Sequence, residues 1–193
     1  MKRIFLLFAA AVMSVGMASA QDINKAIEAA NSGNDAFQMG EYALAVEAFQ
    51  KSLAIAEGLG EAGAEHANTC KTAICNIYLA HSKNLIKTSD FDGALAKLNE
   101  TITVAEGYGA GDTAEEAKKL IPQVYMQKGN TAYKAKDMAT AIAAYTKVTE
   151  LDPTNGDIYI RLGRAYAATG NIAEAEALCD KQQGSVANVV RST

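Results

Sequence analysis

Histidines and cysteines are the residues of this chain best suited to bind a metal. There are two histidines, His66 and His81, and three cysteines, Cys70, Cys75 and Cys179. Cys70 lies four residues after His66 on a predicted helix, so these two side chains share one face. No further ligands stand around them at the spacing that metal sites require. We therefore predict no metal site.

The cysteines also do not form a typical disulfide framework. Exported proteins held together by disulfides usually carry an even number of cysteines in a short chain. Cys70 and Cys75 are five residues apart on a predicted helix, about 7.5 Å of rise, which fits disulfide geometry poorly. We predict that both are small apolar core residues.

One glycine pattern, Gly58-Leu59-Gly60-Glu61-Ala62-Gly63, has the form G-x-G-x-x-G. In dinucleotide-binding domains this motif follows a strand and leads into a helix whose N-terminus binds the pyrophosphate. Here a stripe at helical spacing precedes it, formed by Tyr42, Val46, Phe49 and Leu53. We predict that the glycines end one helix and turn into the next, and that no cofactor binds. Because no phosphate loop, nucleophile elbow or zinc-protease motif occurs either, we predict that the chain is not an enzyme.

The first twenty residues have the three regions of a signal peptide. Lys2 and Arg3 form a basic start, an apolar run from Ile4 to Met13 follows, and Ala18-Ser19-Ala20 supplies the small residues needed for cleavage. The apolar run is too short to span a bilayer, and no later stretch is closer to the required length. We predict a signal peptide at residues 1–20 and an exported protein, periplasmic or secreted, without membrane insertion after signal removal.

The composition favours packed helices. Alanine is abundant, proline occurs only twice and tryptophan is absent. Removal of residues 1–20 leaves 173 residues with a net charge of −6, enough chain for one domain with a core. An acidic chain has no overall electrostatic reason to bind nucleic acid, so we expect no nucleic-acid partner.

A short pattern recurs four times. In each copy a large apolar residue is followed three positions later by alanine and four positions after that by another apolar residue, which places all three on one helical stripe. The copies are Tyr42/Ala45/Phe49, Phe91/Ala94/Leu98, Met138/Ala141/Tyr145 and Ile172/Ala175/Cys179. A small residue stands nine positions before each copy, where it allows a preceding helix to approach closely: Gly33, Ser82, Gly129 and Gly163. The repeating unit is therefore helix, turn, helix.

The repeated pattern resembles that of the tetratricopeptide-repeat family over nearly all of residues 21–193. Leu151-Asp152-Pro153-Thr154-Asn155 matches the family's habitual turn between repeats, where proline stops one helix and Asn155 or Asp157 caps the next. The resemblance implies an all-α fold, a right-handed superhelix (α-solenoid) of about four antiparallel helix pairs. The expected units are 22–58, 62–107, 113–151 and 155–183, followed by a tail at 184–193.

The spacing departs from the family's 34-residue period. The first large residues of the copies are 49, 47 and 34 positions apart. The longer first two repeats are similar to those of kinesin light chains, in which both helices are extended. Pro122 falls in the third unit, where it either kinks a long helix or begins a new one.

The resemblance also implies a binding groove, lined by fixed positions on the first helix of each pair. The candidate residues are Asn34, Phe37, Gln38, Asn76, Lys83, Lys87, Gln123, Asn130, Tyr133, Lys134 and Arg164. They are amides, aromatic rings and cations without a carboxylate, which suits an extended, acidic or C-terminal peptide segment of another protein. Solvated polar positions on helices would give the same pattern. The first-unit lysine of the family's chaperone-binding members is Ala30 here, so chaperone tails are not implied.

An alternative function is self-assembly as a structural protein of the cell envelope. Val186, Val189 and Val190 follow Gly184 without a clear polar capping helix, whereas terminal repeats normally need a polar outer face. The C-terminal end would then dock against a second copy to form a homo-oligomer, or fold back over the fourth unit.

Overall fold

The described part of the chain is helical throughout. The computed structural model describes residues 2–178, with side chains from Ala20 onward. The helices are α1 (Lys2–Gln38), α2 (Tyr42–Gly58), α3 (Ala64–Lys87), α4 (Phe91–Gly107), α5 (Gly111–Lys134), α6 (Met138–Leu151) and α7 (Gly156–Ala168). A 3₁₀ turn, Gly60–Gly63, precedes α3, and residues 172–178 are again helical. No strand occurs between residues 2 and 178, and the prediction of an all-α fold of antiparallel helix pairs is confirmed.

Some predicted features fall at or beyond the ends of this range. Cys179 and the tail at 184–193 lie outside the described residues. Helix α1 includes residues 2–20, the predicted signal peptide, and export stays a prediction. Within residues 2–178 we find no helix with the length and apolar character needed to cross a bilayer.

The chain divides into two compact units. Unit 1 consists of Met1–His81 and Thr103–Thr113, and unit 2 consists of Ser82–Ile102 and Ala114–Thr193. Because the boundaries fall inside helices, α3, α4 and α5 each contribute residues to both units.

The core of unit 1 is built on one face of α2. The buried residues of this helix are Ala45, Phe49, Ser52, Leu53 and Ala56, a spacing that places them on one stripe. Cys70 and Ile74 of α3 pack into the same cluster and are fully buried. Cys75 is also fully buried and, like Cys70, has a free thiol, so the prediction that both are core residues is confirmed. Burial of a side chain the size of Phe49 contributes about 1.5–3 kcal/mol.

Unit 2 has a matching core on α6 and α7. Its buried residues include Ala141, Tyr145 and Val148 of α6 together with Ile158 and Leu162 of α7. The predicted stripes of the first three copies are thus buried at their central positions. In the fourth copy the central residue, Ala175, is only half-buried, and 54% of Ile172 at the first position is exposed.

Glycines allow the paired helices to approach closely. A Cβ atom added to Gly33 would lie 2.7 Å from the ring of Phe49, and one added to Gly129 would lie 2.5 Å from the ring of Tyr145. The prediction that small residues at these positions permit close helix packing is confirmed at both glycines. Ser82 stands at the equivalent position in α3, and its hydroxyl is hydrogen-bonded to the hydroxyl of Thr101, 3.2 Å away.

The G-x-G-x-x-G segment is a helix terminus and a turn, as predicted. Helix α2 ends at Gly58, and Gly60 has a positive φ of 60°. Gly63 is the last residue of the 3₁₀ turn before α3 and lies very close to α2. A Cβ atom added to it would lie 1.9 Å from the carbonyl oxygen of Ala56. The third glycine of the pattern therefore serves packing. Pro122 lies inside α5, which excludes the alternative that it begins a new helix.

The turn inside each helix pair has the same backbone geometry in all four pairs. The second residue after the end of the first helix has a positive φ: Gly40, Ser89, Lys136 and Gly170. In the first turn the amide of Glu41 donates to the carbonyl of Ala36 and that of Gly40 donates to Phe37, the two hydrogen bonds of a Schellman motif. The other three turns repeat both hydrogen bonds.

Substitution of Gly40 tests the demand for a positive φ. We expect Gly40→Ala to lower the free energy of unfolding by about 1 kcal/mol, because alanine disfavours the left-handed region. Its Cβ would meet no atom within 4 Å, so the loss is conformational and not steric. Gly58→Ala is the control, since Gly58 is helical and equally free of neighbours. Urea denaturation should show no loss for Gly58→Ala, and equal losses for both variants would contradict the argument.

Candidate functional site

An oriented amide, Asn130, lies at the centre of the candidate residues in unit 2. Its Oδ1 accepts hydrogen bonds from the Tyr145 hydroxyl at 2.9 Å and from Nη1 of Arg161 at 3.2 Å. Asn130 lies on α5, Tyr145 on α6 and Arg161 on α7, so the arrangement exists only when the three helices pack together. Tyr133, one turn after Asn130, packs against the core beneath.

The two donors fix what Asn130 can offer to a ligand. Burial raises the pKa of Tyr145, an effect that the Arg161 cation partly opposes, so the phenol stays protonated and donates at neutral pH. With Oδ1 occupied, the Nδ2 amide is the group that remains for a ligand, because no acceptor for it occurs among the described residues. An amide donor beside an exposed guanidinium suits a carboxylate or a peptide carbonyl.

Arg161 was not among the residues that the sequence suggested. The family resemblance implied Arg164, one helical turn further along α7, and gave no reason to add Arg161. Only the hydrogen bond to Asn130 distinguishes the two arginines.

The candidate cations differ in their surroundings. Lys83 forms an ion pair with Glu116 at 2.7 Å, with both side chains about half exposed. Glu116 thus brings a carboxylate to one of the predicted positions, which weakens the expected preference for acidic ligands there. Lys87, Lys134 and Arg164 have no ion-pair or hydrogen-bond partner within residues 20–178, and Gln123 is exposed on α5.

Four candidate residues lie in unit 1. Asn34, Gln38 and Asn76 are exposed, and the Phe37 ring contacts that of Tyr42 edge-on at a centroid distance of 6.0 Å. Asn34 is the equivalent of Asn130 when the two turns are aligned on Gly40 and Lys136. The ring facing this position in unit 1 is Phe49, which has no hydroxyl.

The charge of the two units differs strongly. The described side chains of unit 1 include ten carboxylates and three lysines, a net charge of −7, whereas those of unit 2 include eleven of each sign. All four candidate cations belong to unit 2. An acidic ligand is therefore disfavoured at unit 1 and is compatible with unit 2.

The serine, histidine and cysteine that meet in unit 1 form a structural cluster. Ser52 Oγ donates to the Ala26 carbonyl at 2.6 Å and lies 2.8 Å from Nε2 of His66, and Cys70 Sγ donates to Ser52 at 3.2 Å. The hydroxyl is fully buried, and burial raises the pKa of the Cys70 thiol, so neither is presented as a nucleophile. Within residues 20–178 no three His, Cys, Asp or Glu side chains meet in a group that could hold a metal.

Comparison with known families identifies the repeats. Residues 132–188, which include α6 and α7, match the family model described as Tetratricopeptide repeat. The matched segment, residues 132–188, therefore carries a tetratricopeptide-type repeat. The matched segment begins in the last turn of α5 and includes Tyr145 and Arg161.

Solved structures with a similar course of the chain include MamA and BtubC. A crystal structure of MamA is 15% identical, with the match covering 86% of this chain and 94% of that one at a TM-score of 0.39. The crystal structure of BtubC from P. vanneervenii is 16% identical, covering 94% of this chain and 90% of that one at a TM-score of 0.35. Likenesses as distant as these carry no argument about function.

The Ser52 cluster connects α1, α2 and α3, and its removal should destabilise unit 1. Ser52→Ala leaves the Ala26 carbonyl, His66 and Cys70 without their shared partner. We expect a loss of about 1–3 kcal/mol in the free energy of unfolding. Ser32→Ala is the control, because Ser32 is exposed and donates only to the carbonyl four residues before it. Guanidinium denaturation followed by circular dichroism measures both, and a loss no larger than that of the control would refute the role of the cluster.

Proposed function

We propose that this tetratricopeptide-repeat protein is an exported interaction module that binds an extended, acidic or C-terminal peptide segment of another protein. The first helix of each pair provides the binding positions, and the part that binds the acidic group lies on α5 and α7 in unit 2. The protein acts by holding a partner and catalyses no reaction. Its place is the periplasm or the extracellular space.

The observation that carries this proposal is the fixed orientation of Asn130. An asparagine that rotates freely on a surface loses rotamer entropy when it binds, whereas one held by Tyr145 and Arg161 has already lost it. The retained amide donor and the remaining N–H groups of Arg161 provide a directional site for a carboxylate. Lys134 and Arg164 add positive charge on the same two helices.

The charge balance of the units supports the same location. In unit 1 an acidic peptide would meet a surface with a net charge of −7, and in unit 2 the opposing charges cancel. Specific contacts then decide the preference in unit 2, because no large repulsive field acts against an anion there. This is why we assign the acidic group of the ligand to unit 2.

Charge removal on α7 tests the proposal. The probe is a synthetic Asp- and Glu-rich peptide with a free C-terminal carboxylate, with its amidated form for comparison. We expect Arg161→Gln with Arg164→Gln to weaken binding about tenfold or more, because charge-assisted hydrogen bonds contribute about 1.5–3 kcal/mol each. Fluorescence anisotropy at low salt measures the dissociation constants.

The matched control is Lys147→Gln on α6. Lys147 is exposed and pairs with Glu150 at 2.7 Å, so its substitution removes a positive charge from α6 of unit 2 without changing α5 or α7. We expect unchanged binding for this variant. Equal weakening by Lys147→Gln would indicate a general charge effect. If the peptide binds the double arginine variant as tightly as it binds the parent protein, the proposal is overturned.

A further inference from the structure

The turn between α1 and α2 carries three exposed large apolar side chains, whereas the fourth turn carries one, Ile172, and the second and third carry none. In the part of the chain with described side chains, six large hydrophobic residues are exposed, and four of them belong to the first helix pair: Ile27, Phe37, Met39 and Leu44. The exposed fractions are 38% for Phe37, 75% for Met39 and 54% for Leu44, all within eight residues. The ring contact between Phe37 and Tyr42 shows that side chains before and after the turn meet.

The fold itself does not require apolar residues there. All four turns have the same hydrogen bonds and the same positive φ, so their positions can be aligned on Gly40, Ser89, Lys136 and Gly170. The equivalents of Met39 are Thr88, Ala135 and Thr169. The equivalents of Leu44 are Gly93, Thr140 and Glu174. The same backbone is thus built three times with small or polar side chains at both positions.

Carboxylates surround the apolar residues, and two of them are also particular to this turn. The equivalents of Asp35 are Asn84, Thr131 and Ala165, and those of Glu47 are all alanine: Ala96, Ala143 and Ala177. Both acidic residues are exposed and have no ion-pair partner among the described residues.

Glu41 differs from two of its three equivalents, Asp90 and Asp137, in a third way. Asp90 accepts a hydrogen bond from the amide of Gly93, and Asp137 accepts one from the amide of Thr140, so both carboxylates cap the helix that follows. Glu41 stands at the same position before α2 and makes no such bond. Its carboxylate therefore remains for a partner.

We propose that Phe37, Met39 and Leu44, together with Asp35, Glu41 and Glu47, form a docking surface for a basic amphipathic peptide segment. We call these six residues the first-turn patch. The apolar side chains would bury against apolar residues of the partner, and the carboxylates would pair with lysine or arginine beside them. Charge complementarity selects this partner, because the described side chains of unit 1 carry a net charge of −7 and repel acidic segments and anionic surfaces. The patch shares Phe37 with the candidate groove positions on α1, but none of its residues lies on α5 or α7, and the proposal does not depend on the acidic-peptide site there.

The probe for a test is a synthetic helical peptide of about 18 residues, five turns, with leucine on one face and lysine on the other. One comparison peptide replaces every lysine by glutamate, and another replaces every leucine by glutamine. We expect only the leucine–lysine peptide to bind the purified protein, with an affinity that falls as NaCl is raised. Fluorescence anisotropy gives the dissociation constants.

Two variants take their residues from the other turns, which shows that this backbone accepts them. Met39→Thr with Leu44→Thr removes the apolar surface and should weaken binding about tenfold or more. Asp35→Asn with Glu47→Ala removes two charges and should weaken binding less, while flattening its dependence on NaCl. Leu151→Thr is the control, because Leu151 is an exposed leucine of unit 2, and it should bind as the parent does.

Several results would overturn the proposal. Equal binding of the glutamate peptide would exclude charge complementarity, and unchanged binding by Met39→Thr with Leu44→Thr would exclude the patch. Equal weakening of peptide binding by Leu151→Thr would show that any exposed leucine contributes to binding, wherever it lies on the protein. A dimer seen by light scattering that the same double threonine variant disperses would make a second copy the occupant instead. Circular dichroism of each variant checks that helix content is retained.

Discussion

The distance between the two helices of a pair is set by a ring that lies against a glycine backbone. The Phe49 ring lies over Gly33 in unit 1, and the Tyr145 ring lies over Gly129 in unit 2. A methyl group at either glycine would come closer to a ring carbon than packed carbon atoms approach one another. The stripe of each second helix can be buried at its central positions only because its partner comes this near, so the cores of both units depend on these contacts.

The same contact links packing to binding in unit 2. The ring that covers Gly129 carries the hydroxyl that holds Asn130, so the orientation of the amide follows from the helix spacing. In unit 1 the equivalent asparagine, Asn34, stands near a phenylalanine that provides no donor. The two pairs share their backbone geometry. The Asn130 amide is held in one orientation because Tyr145 has a hydroxyl, whereas Asn34 is exposed without such a donor because Phe49 has none.

How far the sequence could predict the molecule depends on the range of each interaction. The stripe of Ala45, Phe49 and Leu53, the close approach at Gly33 and Gly129, and the glycine turn after α2 follow from local spacing, and all were predictable. The partners Arg161 for Asn130, Glu116 for Lys83 and Ser52 for His66 were not. Each joins residues on different helices whose facing side chains depend on packing, and the extra residues in the first two repeats remove the regular period that would have aligned them.

The distribution of charge, like the contacts between helices, becomes clear only once the chain is folded into its two units. After removal of residues 1–20 the chain has a net charge of −6, from which only the absence of a nucleic-acid partner was predicted. Among the described side chains, those of unit 1 carry a net charge of −7 and those of unit 2 balance, so under the two proposals above the units would bind ligands of opposite sign. A repeat protein can therefore keep one backbone in every turn and still assign different partners to different repeats, because the side chains at positions such as 35, 39, 44 and 47 are not needed for the fold. In the first turn these positions carry exposed apolar residues and unpaired charges that their equivalents do not. Because the fold does not need these side chains, binding to a partner is the remaining explanation for them.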